Sequence, residues 1–129
     1  MALAMVEVRR AEREAATRDI AAVAGYLQET LGQKVTAYLA GVRDPKMVGR
    51  WASERVEPRD PVKLRLRCAY QVARMVATAF GAETTKAWLF GTNSRLDDEA
   101  PAWVLRHARV PDDLRGVVPA ARSFAGSTD

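Results

Sequence analysis

The sequence has little of what most catalytic and metal centres need. Cys68 is the only cysteine and His107 the only histidine among 129 residues, which excludes an internal disulfide and a cysteine-based metal cluster. There is no glycine-rich phosphate loop and no serine or cysteine at a recognisable nucleophile spacing. His107 is interpreted as a surface or helix-capping residue, because a lone histidine lacks the partners that catalysis requires. We therefore expect that the protein is not an enzyme and that it has no catalytic residue, no cofactor and no metal site.

Long hydrophobic runs are also missing. No apolar stretch approaches the roughly 20 residues that cross a bilayer. The N-terminus reaches Arg9, Arg10 and Glu12 before the apolar core of a signal peptide is complete. A single cysteine fits a reducing compartment. These observations predict a soluble cytoplasmic protein with no membrane partner.

The net charge of +4 originates in the middle of the chain. Residues 43–81 hold nine of the 20 basic residues but four of the 16 acidic ones, whereas charges nearly balance on either side. Such a block is suited to a polyanion such as nucleic acid. It is equally typical of a solvated helix face, and both interpretations stay open at this point.

Strand signals are absent too, and nearly all apolar periodicity is helical, which predicts an all-α fold. Glycines and prolines mark where helices end and begin, since Gly32, Gly41 and Gly81 follow apolar repeats while Pro45 and Pro61 follow aspartates. The helix predicted near the N-terminus has a thin apolar stripe and is interpreted as a frayed extension or docking arm. The predicted helices cover residues 5–16, 20–31, 33–40, 62–80, 83–90 and 101–106, with another starting at 44–45.

Residues 33–52 have the order of a helix-turn-helix motif, in which Val48 and Trp51 anchor the second helix inward. Arg43, Lys46 and Arg50 fall on the other side of that helix and are the predicted DNA contacts. The turn is one residue longer than the commonest spacing, and Glu54 stands where many such motifs have glycine. An ordinary helical hairpin is the alternative. The basic residues of the following long helix are interpreted as snorkelling over its apolar face rather than binding phosphate: Lys63, Arg65, Arg67 and Arg74.

Large aromatic residues surround a polar loop in the C-terminal third. Trp88, Phe90 and Trp103 are close in sequence, and we expect one or two of them in the core. Pro111 with Asp112 and Asp113 is a start signal for a last short helix. Beyond it, glycines and prolines predict an irregular tail that is ordered by a second copy of the chain or by a partner protein, with Phe124 as its anchor.

Residues 17–110 resemble the Xre/MbcA/ParS family of antitoxins, which are encoded beside RES-domain toxins, and are closest to the MbcA type. The matching residues in the helix-turn-helix part are Val48-Gly49-Arg50-Trp51 and Pro58, followed by the Lys63–Arg74 helix. The more specific match is Trp88-Leu89-Phe90 followed by Asn93, Leu96, Pro101 and Leu105. Thr92 replaces the family's usual proline, and the segment after Val110 departs from the family's helical ending.

The resemblance implies an all-α antitoxin with an N-terminal helix-turn-helix subdomain, residues 1–81, that a long helix joins to a small toxin-binding subdomain, residues 82–129. It implies that the second part blocks a toxin that destroys NAD. It further implies assembly into homo-oligomers or toxin–antitoxin hetero-oligomers and, in some members, operator binding. The predicted toxin contacts in this half are polar groups together with the aromatic and apolar anchors beside them: Trp88, Asn93, Arg95, Leu96, Arg106 and Phe124. The partner protein that would order the tail is then the toxin. A stand-alone transcriptional regulator without a toxin is the alternative.

Overall fold

Helical periodicity dominates the sequence, and the computed structural model, which describes residues 3–126, consists of helices joined by turns and loops, without a β-strand in that range. The prediction of an all-α fold is therefore confirmed for these residues. The helices are α1 (Met5–Thr17), α2 (Ile20–Leu31), α3 (Gln33–Ala40), α4 (Lys46–Ala52), α5 (Val62–Phe80), α6 (Ala82–Phe90), α7 (Pro101–His107) and α8 (Val117–Ala125). Short 3-10 turns lie at Ser94–Leu96 and Pro111–Leu114.

Helix α5 occupies the centre because apolar side chains cover most of its circumference. Its buried residues include Leu66, Tyr70, Val72 and Met75, which point to different sides of the helix. Helices α1, α2, α3, α6, α7 and α8 all pack on it, whereas α4 packs on α2 and α3. The buried residues of these helices form one continuous core.

The segment that sequence analysis interpreted as a helix-turn-helix contains the two expected helices. Helix α3 ends at Gly41, which adopts a left-handed φ of 82°. Two residues before α4, the Asp44 carboxylate accepts a hydrogen bond at 2.9 Å from the backbone N–H of Lys46, the first residue of that helix. Val48 and Trp51 are buried as predicted. The helix-turn-helix assignment itself and the boundary at residue 81 stay predictions.

The irregular tail predicted after Pro111 is wrong for the described residues. Helix α8 packs along α5 within the same chain and buries Val117, Ala121 and Ala125, so the apolar residues of this segment have contacts in their own chain. Pro119 lies in the first turn, where a missing backbone N–H costs nothing. The end of α8 is also tied to the N-terminus, because the Leu3 N–H donates to the Ala125 carbonyl at 3.0 Å. Residues 127–129 of the predicted tail lie outside the described range.

The interpretation of the N-terminal helix as a frayed extension or docking arm is likewise wrong. Helix α1 packs against α5 and buries Val8, Ala11 and Ala15. These residues recur at intervals of three and four, which is the spacing of one helix face. Two of the three are alanines, so this face is only weakly hydrophobic although all three residues are buried.

Glu14 of α1 provides a polar contact between α1 and α5. Its carboxylate accepts hydrogen bonds from the Tyr70 hydroxyl at 2.8 Å and from Arg74 Nε at 3.1 Å. Burial opposes ionisation of Glu14, but the hydrogen bond from Tyr70 and the charges of Arg74 and Arg18 outweigh it, so the pKa of this carboxyl is lowered. Burial and the bond to Glu14 raise the pKa of Tyr70 to about 12.

We expect Glu14 to stabilise the fold at neutral pH and to lose this contribution in acid. Because its pKa is lower in the folded state, the stabilisation is present above the unfolded pKa and disappears as pH falls through the folded pKa. Urea unfolding of the native chain and of Glu14→Gln across the acid range measures this effect. The free-energy difference between the two proteins should shrink as pH falls, and a constant difference would contradict the role assigned to Glu14.

Candidate functional site

Four of the six residues predicted to bind a toxin line a single groove at the C-terminal end of the molecule. We call it the aromatic groove; it encloses about 200 Å³ and is lined by Trp88, Asn93, Ser94, Arg95, Ala120, Ser123 and Phe124. Helix α6 contributes Trp88, the 3-10 turn contributes the polar residues, and α8 forms the opposite wall. The groove exists because α8 packs against the core.

Aromatic stacking fixes one side of this groove. The Phe124 ring packs edge-on against Phe80 at 5.2 Å between centroids and stacks on Trp88 at 6.0 Å. Phe124 is therefore held by its own chain, with part of its ring left at the surface. A preformed aromatic surface of this kind contributes contact area at low entropic cost.

The polar side of the groove is set by Asn93. Its side-chain oxygen accepts a hydrogen bond from the Arg95 backbone N–H at 3.0 Å and caps the 3-10 turn. The Arg95 residue is exposed. The turn thus presents a guanidinium beside the aromatic wall, where it is available to an acidic group of a partner.

The two remaining predicted toxin contacts lie elsewhere. Leu96 is partly buried, packs against the core and contacts the region of Gly116. Arg106 lines a different surface next to α3, where its Nη1 donates to the Tyr38 carbonyl at 2.8 Å. Sequence proximity to the aromatic residues thus grouped Arg106 with a surface that it does not line.

We expected one or two of Trp88, Phe90 and Trp103 in the core, but none of the three rings is fully buried. Trp88 is partly buried against the core, whereas Phe90 and Trp103 are 47% and 48% exposed. Phe90 packs on Tyr38, and Trp103 packs on His107 at 3.8 Å between ring centroids. His107 is exposed and bonds the Trp103 carbonyl within α7.

The predicted DNA contacts are all at the surface. Arg43, Lys46 and Arg50 are exposed, while Val48 and Trp51 on the opposite side of α4 are buried. None of the three basic residues forms an ion pair with another described residue. Their positive charge is therefore directed to solvent.

The arginines of α5 have a role that sequence analysis missed. Arg65 donates from Nη1 to the Ala40 carbonyl at 2.9 Å and from Nε to the Ala108 carbonyl at 2.8 Å. Arg67 donates to the carbonyls of Ala15 and Arg18 at 3.0 and 2.8 Å. These carbonyls lie at the C-terminal ends of α1, α3 and α7, where backbone acceptors lack partners within the helix.

Snorkelling is consequently the wrong interpretation for Arg65, Arg67 and Arg74, which bind groups of the protein itself. Lys63 is also engaged, since it pairs with Glu57. Three of the nine basic residues in residues 43–81 thus bind groups of other helices. The basic residues of this block that stay exposed are Arg43, Lys46, Arg50, Arg55 and Arg59.

The chain was compared with protein families, curated proteins and solved structures. No protein-family model matches the chain, and neither a curated protein nor a solved structure matches it.

Within residues 3–126, no helix combines the length and the apolar character that are needed to cross a membrane.

Proposed function

We propose that this chain is the antitoxin of a type II toxin–antitoxin system, which acts in the cytoplasm as a binding protein. It binds and blocks a RES-domain toxin that degrades NAD, and the aromatic groove is its contact surface. The supporting observation is that Trp88, Asn93, Arg95 and Phe124, which are spread over 37 positions of the chain, line one groove. Autoregulation of the operon through the exposed Arg43, Lys46 and Arg50 completes the proposal.

The size of the groove favours a protein partner over a small metabolite. Its volume of about 200 Å³ is below the roughly 300 to 1,000 Å³ that small-molecule sites usually have. A cavity of this size accommodates one large side chain. Aromatic walls with a polar rim are the usual composition of a protein interface hot spot.

The test requires the toxin, and we expect a RES-domain reading frame beside the one that encodes this chain. Arg95→Glu should weaken binding of that toxin by roughly tenfold or more at low salt, because a reversed rim charge meets like charge in the partner. The loss should diminish as salt is added. Binding is measured by surface plasmon resonance, and neutralisation by the NAD content of cells that produce both proteins.

Arg9→Glu is the matched control, because Arg9 is an exposed arginine on α1 that does not line the aromatic groove. It changes the net charge equally and should leave toxin binding unchanged. Equal affinities of the Arg95→Glu and Arg9→Glu variants would refute the aromatic groove as the contact surface. A native chain that does not bind the toxin would refute the antitoxin function.

A stand-alone transcriptional regulator is the second candidate. It is favoured by the three exposed basic residues around the start of α4, which need no toxin to contact DNA. The two candidates differ in the neighbouring gene and in toxin binding. Sequence-specific DNA binding by a chain that has no RES-domain neighbour would favour the regulator.

A further inference from the structure

A second concave surface lies between α3, the turn before α4, and α7. We call it the basic concavity; it encloses about 320 Å³ and is lined by Lys34, Ala37, Tyr38, Val42, Arg43, Pro45 and Arg106. Each of its three charged residues is basic, and each comes from a different element. Lys34 lies on α3, Arg43 in the turn and Arg106 on α7.

Arg106 is held in place before any ligand binds. Its Nη1 donates to the Tyr38 carbonyl at 2.8 Å, and its guanidinium carbon lies 4.6 Å from the centre of the Tyr38 ring. Nε and Nη2 make no hydrogen bond to another described residue, so they keep donors for an external acceptor. A fixed guanidinium loses little entropy on binding and matches the two free oxygens of a phosphodiester.

The positive charge of this region is not neutralised within the described residues. Lys34, Arg43 and Arg106 form no ion pair there. Asp44, which follows Arg43 in the chain, accepts a hydrogen bond from the Lys46 backbone N–H and forms no ion pair with these three residues.

Further positive charge lies behind the concavity. The pKa of Arg65 is lowered by burial and then by the charges of Arg109 and Arg106. Like charges that are gathered in this way repel one another, and an anion bound among them relieves the repulsion.

We infer that the basic concavity binds a backbone phosphate of duplex DNA through Lys34, Arg43 and Arg106. This inference rests on the DNA contact in the proposed function and extends it to two residues outside α4 and its preceding turn. Duplex DNA fits better than an isolated anion, because Lys46 and Arg50 continue the positive surface along α4. A duplex presents regularly spaced phosphates to separate basic groups, and the first helix of a helix-turn-helix crosses that backbone.

The experiment measures DNA affinity of the full chain over a range of salt. The probes are a labelled duplex from upstream of the chain's own reading frame and a scrambled duplex of equal length. Lys34→Gln and Arg106→Gln should each weaken binding of both duplexes by about tenfold. Each should also reduce the slope of log affinity against log salt by about one unit, as expected when one phosphate contact is lost.

Arg9→Gln is the control for a simple change in net charge, and it should leave the slope unaltered. Circular dichroism and thermal unfolding establish that the variants fold. The Lys34 variant is the check on a structural explanation of the Arg106 result. The Lys34 side chain is exposed and forms no hydrogen bond to another described residue, so we expect Lys34→Gln to fold like the native chain.

Lys34→Gln and Arg106→Gln with the affinity and slope of Arg9→Gln would overturn the inference. Absence of DNA binding by the native chain at low salt would overturn it too. So would a folded Arg106→Gln variant that loses toxin binding and keeps DNA binding, because Arg106 would then belong to a protein interface. Toxin binding is measured separately, so a failure of the antitoxin proposal is distinguishable from a failure of the phosphate site.

Discussion

Trp51→Ala is expected to lower the free energy of unfolding by about 3 to 5 kcal/mol, the usual cost of deleting a buried tryptophan ring. Trp51 is 2% exposed and packs in the core where α4 meets α2 and α3. Small domains are stable by only about 5 to 15 kcal/mol, so this single change removes a large part of the total. Urea unfolding followed by circular dichroism measures it.

Trp103→Ala is the matched control, because the same substitution is made at a ring that is 48% exposed. Trp51→Phe separates two contributions at the buried site. It keeps most of the apolar volume and removes the Trp51 Nε1 group, a buried donor without a hydrogen-bond partner among the described residues. Because most of the apolar volume stays, phenylalanine should be tolerated far better than alanine. Equal losses for Trp51→Ala and Trp103→Ala would contradict the packing described for α4.

Gly41→Ala is the second substitution with a large expected effect, about 2 to 4 kcal/mol of lost stability. Gly41 has a φ of 82°, which is strained for any residue with a Cβ. An added Cβ would also overlap Arg65 Nη1 and come within 3.1 Å of the Arg106 carbonyl oxygen. Arg65 is not free to move away, because it is bonded to the Ala40 and Ala108 carbonyls.

Gly32→Ala isolates the part of this cost that comes from crowding. Gly32 has a similar φ of 89°, but an added Cβ there meets nothing within 4 Å. Gly41→Ala should therefore destabilise the chain more than Gly32→Ala, as measured by urea unfolding. In an Arg65→Ala background the excess should largely disappear, because the crowded group is gone. An excess that persists in that background would place the strain elsewhere.

Residues that start and end helices allowed most of the fold to be predicted from the sequence. Glycines at 32 and 41 and the Asp60-Pro61 pair fixed the ends of α2 and α3 and the start of α5, since these residues act through local backbone chemistry. Glu54 shows the same locality: it stands where related motifs have glycine, and its φ is 64°. A φ of this sign favours glycine, but the sequence analysis noted Glu54 only as a departure from the motif and did not predict its backbone conformation.

Helices α1 and α8 were misjudged in part because most of their buried residues are alanines, and α8 also because the prediction gave too much weight to Gly116, Pro119 and Gly126. Ala11, Ala15, Ala121 and Ala125 are almost fully buried, yet alanine adds little to a hydrophobic pattern. Its value is that a small side chain lets helices approach closely, and this benefit depends on a partner helix that lies far away in sequence.

Sequence proximity also decided which residues of the aromatic groove could be predicted. Trp88, Asn93 and Arg95 are close in sequence and lie together, whereas Ala120 and Ser123 reach the aromatic groove only through the packing of α8. The roles of Arg65 and Arg67 were not predictable from the sequence pattern. A guanidinium on a helix gives the same periodicity whether it meets solvent or a carbonyl more than 20 positions away.

The hydrogen bond between Leu3 and Ala125 has a consequence for the order of folding during synthesis. The ribosome makes α1 well before α8, yet the two helices pack on the same central helix, and the Leu3 N–H beside α1 donates to the Ala125 carbonyl at the end of α8. Until residue 125 has left the ribosome, α5 has part of its apolar surface uncovered. The nascent chain therefore completes this core only after synthesis of α8, and it exposes apolar surface to chaperones until then.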